Sequence, residues 1–171
     1  EDEKEPLAPI SHIMARAHVE ITLDQDGGFI SAQAVDKEAP KIIIPVTEES
    51  AGRTSAPCAH PLCDQLGYVS PYNEKKHTLY VDALSNWANS ESTHPKLQPI
   101  LAYVRNGTIL TDLLNAQLIQ LTPEGGPSDE KLMVCWVVNG LGEGLNGPCW
   151  TDRALMDAFI GYSRRERTAM P

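Results

Sequence analysis

The chain has 171 residues, 42% of them apolar, and a formal net charge of −9 at neutral pH. That length suits one domain with a real core, and no apolar run approaches the ~18 residues a membrane helix needs. The acidic balance argues against broad, sequence-blind duplex binding, which draws on a basic surface, but it leaves room for local binding through a few clustered cations.

Residues 1–5, Glu-Asp-Glu-Lys-Glu, are the opposite of the positively charged start of a secretion signal. With two prolines close behind, residues 1–16 read as an acidic, partly flexible segment, and residues 17–171 as a single α+β domain. Residues 17–24 (AHVEITLD) alternate and are β-rich, and residues 29–35 (FISAQAV) do so less cleanly. Asp26-Gly27-Gly28 between them signals a tight hairpin. Lys41 to Val46 is a third strand, and Pro45 puts it at an edge or a strand end. These three strands are expected in one antiparallel sheet.

A loop of small and hydroxylated residues, Thr47 to Ser55, follows, with Arg53 directly after Gly52. The chain restarts at Pro61-Leu62-Cys63-Asp64, expected as a short helix. Residues 72–89 read as the first substantial helix, with Leu79, Tyr80, Ala83, Leu84 and Trp87 on one face and Lys75, Lys76 and Asp82 largely off it. A second helix starts near Pro95 and ends at Asn106-Gly107. Ile109 to Leu114 forms a third, with Leu121 as its furthest limit. Thr122 to Asp129 is a loop, and Lys131 to Val138 a strand apolar enough to be covered on both faces. Residues 139–148 contain four glycines but lack the Lys-Ser/Thr of a phosphate loop, so they read as a connection. Thr151 or Asp152 caps a final helix that ends in Arg164, Arg165 and Arg167. The expected fold is α+β: a small antiparallel sheet of about four strands packed with about four to five helices.

No nucleophile-base constellation stands out. There is no Gly-x-Ser-x-Gly elbow and no His-Glu-x-x-His pair, and Glu48-Glu49 reads as a solvated turn or helix start. Cys58, Cys63, Cys135 and Cys149 are expected as reduced thiols. Cys58 and Cys63 have the look of half a zinc site, but Cys135 and Cys149 are too far apart in sequence to supply the other half. No catalytic residue, metal or cofactor is expected.

Cations offer more. The Gly52-Arg53-Thr54-Ser55 loop sets a guanidinium beside hydroxyls and backbone N–H groups able to hold phosphate. Asn73, Lys75 and Lys76 open a helix, and helix starts attract phosphate. The bland alternatives are that Arg53 pairs with Glu48 or Glu49 to staple its own loop, and that Lys75 and Lys76 are an ordinary solvated face.

TEESAGRTS at 47–55 followed by HPLCDQLGYV at 60–69 resembles the large subunit of type I-C CRISPR surveillance complexes, the Cascade effector. The likeness takes in Leu7 to His12, Ala17 to Ile21, the Asp26 to Phe29 turn, Lys75 to His77, Trp87, and His94 to Leu97 through Leu114, and it loosens after about residue 120. Subunits of that family are several times longer, so the chain reads as an N-terminal region without the usual first helix. The resemblance implies a prokaryotic, cytoplasmic, non-catalytic subunit in antiviral defence. Such a subunit recognises the protospacer-adjacent motif in double-stranded DNA near the crRNA 5′ end. Its implied partners are crRNA, target DNA, other Cascade subunits and a helicase-nuclease recruited after target binding, with guide pairing reading the rest of the target. The residues carried over as nucleic-acid-binding are Gly52, Arg53, Thr54, Ser55, Asn73, Lys75 and Lys76. The rival reading is a protein-interaction scaffold that docks neighbouring subunits or the crRNA handle.

Overall fold

The computed structural model of the protein describes residues 8–169. The acidic opening, residues 1–5, lies outside the described residues. An α+β fold is observed: a two-stranded ribbon, a five-stranded sheet, and helices packed against them. No helix among the described residues is long and apolar enough to cross a membrane.

β2 (Val19–Leu23) and β3 (Phe29–Ala34) form the hairpin expected from their alternation; along β2 the odd-numbered residues are buried and the even-numbered ones are not. Asp24 shapes the turn, its Oδ1 accepting from the N–H groups of Asp26 and Gly28, both at 2.8 Å. Gly27 has φ +86°, and a Cβ there would sit 2.6 Å from the Pro99 carbonyl oxygen. Glycine therefore lets the turn press onto the helix that contains Pro99.

The third expected strand does not join this hairpin. β4 (Ile42–Pro45) pairs antiparallel with β1 (His12–Ala15) in a separate ribbon. Residues 12–15 thus belong to the fold, although they fall in the stretch read as a flexible segment. Pro45 ends β4 and faces His12, the strand-end position its missing N–H requires. β2 has no free edge for β4, because its second edge is taken by β6 (Met133–Val138), in parallel. β6 is buried along its whole length, as its unbroken apolar sequence demands. The sheet is therefore mixed rather than antiparallel, in the order β3-β2-β6-β5, with β5 (Asp64–Gln65) and β7 (Gly147–Pro148) both antiparallel to β6.

No helix forms at 61–64. The chain there bends into β5 and only then turns through α2 (Leu66–Val69). The Leu62 carbonyl explains the choice: it accepts from Trp136 Nε1 at 3.0 Å and from the Tyr80 hydroxyl at 2.5 Å, which ties the segment to the sheet and to a helix at once. That helix is α3 (Glu74–Ala88), followed by α4 (Leu97–Asn106) and α5 (Ile109–Asn115). α4 ends at Gly107 with φ +73°, the left-handed cap expected there. α5 stops at Asn115, short of Leu121, where Gln117 takes φ +63°. α6 (Arg153–Ala169) is capped by Asp152, whose Oδ1 accepts from the Leu155 N–H at 3.0 Å. Aromatic rings join the layers. Trp87 of α3 meets Phe159 of α6 edge to face at 4.8 Å, and Tyr103 of α4 meets Trp136 of β6 at 5.9 Å.

One ion pair sits among these apolar contacts. Lys96, only 2% exposed, donates to Asp152 Oδ2 at 2.5 Å, and His94 Nε2 lies 3.4 Å from the same oxygen. Burial alone would raise the Asp152 pKa, but the hydrogen bond and charge of Lys96 and the Leu155 N–H bring it below the ordinary carboxylate value. A depressed carboxylate stabilises the fold above its unfolded pKa, and the contribution disappears as pH falls through the folded value. Replacing Lys96 by Ala leaves a carboxylate half-buried without its partner and is expected to cost ~3 kcal/mol in urea unfolding at neutral pH. Lys96→Ala/Asp152→Ala together should cost less than the sum of the single changes, and additive losses would show that the pair contributes no coupling.

Candidate nucleic-acid interface

The TEESAGRTS loop owes its shape to one buried carboxylate. α1 (Glu48–Ala51) is a single turn closed by a capping box, in which Thr47 Oγ1 accepts from the Ser50 N–H at 3.0 Å and Ser50 Oγ from the Thr47 N–H at 2.9 Å. The chain then swings outward, and Arg53 turns back. Its Nη2 donates to Asp64 Oδ1 at 2.7 Å, its Nη1 to Asp64 Oδ2 at 3.1 Å and to the Cys58 carbonyl at 2.7 Å. Asp64 is fully buried and also accepts from the N–H groups of His60 at 2.8 Å and Gln65 at 2.7 Å. A fork of this kind is among the stronger polar contacts in proteins. Burial would lower the guanidinium pKa, but Asp64 more than offsets it, so Arg53 holds its proton more tightly than usual.

Arg53 is therefore a loop staple, and its partner is Asp64 rather than Glu48 or Glu49. Its side chain is 15% exposed. Gly52, Thr54 and Ser55, held out by this staple, are exposed. Asn73 is the N-cap of α3, its Oδ1 accepting from the Lys76 N–H at 3.1 Å, so its NH2 group is the end left to donate. Lys75 is exposed on the first turn. Lys76 is half-buried, 3.9 Å from Glu130.

The residue that brings loop and helix together is Tyr68 of α2. The Arg53 guanidinium lies 4.5 Å from its ring centroid and the Lys76 ammonium 5.2 Å. The Tyr68 hydroxyl oxygen accepts from the Cys58 N–H at 3.1 Å, which fixes the far end of the loop to the same ring. Neither Asp64 nor Tyr68 figured among the residues expected to matter. Both lie within the quoted HPLCDQLGYV stretch, but a lone acid and a lone aromatic gave no sign of which cations they would meet.

The histidines and cysteines supply structure around this site. His60 Nδ1 lies 2.8 Å from Ser50 Oγ, and burial, aided by Arg53 against the pull of Asp64, lowers the His60 pKa to about 4. All four cysteines are free thiols; Cys63, Cys135 and Cys149 are buried, and burial pushes Cys149 up to about 12. Among the described residues no three His, Cys, Asp or Glu side chains come together as a metal site. A cavity of about 780 Å³ opens between α1, the start of β1 and α6; Phe159 and Tyr162 line it, with Glu48, Glu49, Glu166 and Arg167 among its polar groups.

Two stability measurements bear on this geometry. Arg53→Ala strands the Asp64 carboxylate and should cost ~3 kcal/mol in chemical unfolding, and Arg53→Lys, which lacks the fork, should recover only part of it. His60 binds its proton less readily folded than unfolded, so stability should fall as pH drops from 6.5 toward 4, by ~3 kcal/mol for a shift of this size. His60→Asn should flatten that part of the pH profile.

No curated protein matches the chain. A family model described as CRISPR-associated protein (Cas_Csd1) matches residues 1–170. The match extends through the Gly-rich connection and α6, where the sequence resemblance loosened, and the chain accordingly belongs to this family of CRISPR-associated proteins.

Proposed function

We propose that the chain is a non-catalytic nucleic-acid-binding part of a type I-C Cascade effector, recognising the protospacer-adjacent motif and contacting target DNA near the crRNA 5′ end. Its working partners on this reading are crRNA, target duplex, neighbouring Cascade subunits and a helicase-nuclease that joins after target binding. The observation that supports it best is the meeting of the Thr54-Ser55 loop and the start of α3 across Tyr68. Two segments far enough apart to look independent in sequence meet on one ring through Arg53 and Lys76, and each carries further polar groups, the Thr54 and Ser55 hydroxyls on one and Asn73 and Lys75 on the other. Few base contacts and some phosphate contacts suffice for such a module, because guide pairing reads the remaining target. A net charge of −9 is compatible with that division of labour.

The roles within the site divide by exposure. Lys75 and Lys76 supply charge, Asn73 and the hydroxyls of Thr54 and Ser55 supply directed hydrogen bonds, and Gly52 lets the backbone come close. Arg53 shapes the loop, its fork committed to Asp64. The scaffold reading has its own support in the cavity beside α1, where Phe159 and Tyr162 offer apolar surface and three glutamates outnumber Arg167, a balance that suits a basic segment of a neighbouring subunit.

The decisive experiment is a mobility shift of target duplex with the assembled complex, using Lys75→Ala/Lys76→Ala in place of Arg53→Ala, since losing Arg53 would confound folding with binding. Binding is expected to weaken about tenfold at low salt, with the salt slope shallower by roughly one unit for each phosphate that is no longer neutralised. A loss confined to duplexes with the correct flanking motif would mean these residues help read it. Unchanged DNA binding with impaired assembly would instead favour the scaffold.

A further inference from the structure

We infer that Tyr72 is a stacking platform for an unpaired nucleobase, an inference that rests on the nucleic-acid reading above. Tyr72 is 48% exposed, the aromatic member of a small set of exposed large apolar side chains that, among the described residues, otherwise comprises Ile10, Ile30, Leu114 and Leu121. It directly precedes the N-cap Asn73, so it stands at the same end of α3 as Lys75 and Lys76.

The ring is held in place despite its exposure. It lies against Gly126, where an added Cβ would come within 2.6 Å of Tyr72 Cε2 and 2.8 Å of Cδ2 and Cζ. No other residue at 126 would leave the ring where it is. Gly126 itself sits in a tight turn. The Thr122 N–H donates to the Gly126 carbonyl at 2.7 Å, the Gly126 N–H donates to Thr122 Oγ1 at 3.2 Å, and Leu121 bridges to Pro127. The Gly126 backbone thus lies against the aromatic ring, and about half of the residue stays exposed. Pro71 on the preceding side restricts the chain that carries it.

A nucleotide offers a flat base and an anionic phosphate. A fixed, half-exposed ring followed within one helical turn by two ammoniums offers a match for both. Glu74 on the same turn and Glu130 beside Lys76 weaken the local positive field, which shifts the recognition toward stacking. Bases inside a duplex have no free face, so the ligand is a single strand, or a strand that has been opened. Stacking tolerates any base, so the platform adds affinity without adding sequence preference.

The test uses an oligothymidine of about 12 nucleotides, within the span such surfaces cover, carrying one 2-aminopurine. Its fluorescence is quenched when the base stacks. The full chain, free and in the assembled complex, should quench the probe at low salt. Tyr72→Ala should abolish the quench and weaken binding about tenfold, while Tyr72→Phe keeps both. Gly126→Ala, which retains the tyrosine but displaces its ring, should also lose the quench, with an unchanged melting temperature for Tyr72→Ala showing that the fold is intact. If Tyr72→Ala quenches and binds like the wild type while Lys75→Ala/Lys76→Ala weakens binding, the stacking inference is overturned and the nucleic-acid reading stands. If the complex binds target duplex but never the single strand, the inference again fails alone. If neither nucleic acid binds in any assembly, both fail.

Discussion

The buried carboxylate of Asp64 is the constraint on which the rest of the structure depends. A fully desolvated charge is tolerated only when its lone pairs are filled and a counter-charge is close. Here the Arg53 fork and the N–H groups of His60 and Gln65 do both. Meeting that demand fixes three things together. It folds the 47–55 loop back on itself, holds the Cys58 to Asp64 segment as a bend instead of a helix, and sets β5 against β6. Each of these contacts looks local, but together they join the outer loop to the centre of the mixed sheet.

The second anchor joins two helix starts. Lys96 and Asp152 bind the start of α4 to the start of α6, with His94 on the same carboxylate. Apolar packing around them does most of the stabilising, through Trp87, Phe159, Tyr103 and Trp136. The polar groups choose among the ways those rings could pack. A shifted register would strand a charge inside the protein, at a cost that disfavours it.

Charge is unevenly placed in this acidic protein. Three glutamates and Arg167 line the cavity beside α1, while Lys75 and Lys76 stand at the opening of α3 beside Glu74 and Glu130. Tyr68 carries both Arg53 and Lys76 against its ring. On the proposed reading, such a module contributes only a few directed contacts, and neighbouring subunits supply the field that draws nucleic acid in.

Periodicity and capping chemistry were enough to read most elements from the sequence. Alternation marked β2, the unbroken apolar run marked a strand covered on both faces, Asp-Gly marked the hairpin, Asn106-Gly107 marked a helix end, and Asp152 marked a helix start. Each of these signals is local, carried by residues within a few positions of one another. The cations Arg53, Lys75 and Lys76 and the cap residue Asn73 were also legible as candidates, as was the possibility that Arg53 staples its own loop. Partner choice was not legible. That β4 would pair with residues 12–15, that β6 would lie parallel to β2, and that Arg53 would choose Asp64 over the nearer Glu48 and Glu49 depended on contacts between distant segments. Hydrophobic pattern tells a strand which face to bury but not which edge to join, and a guanidinium seeks whichever carboxylate the fold has stripped of water. Sequence alone thus determined most of the elements and the candidate chemistry, and only the tertiary structure decided which of those groups are spent on holding the fold and which remain at the surface.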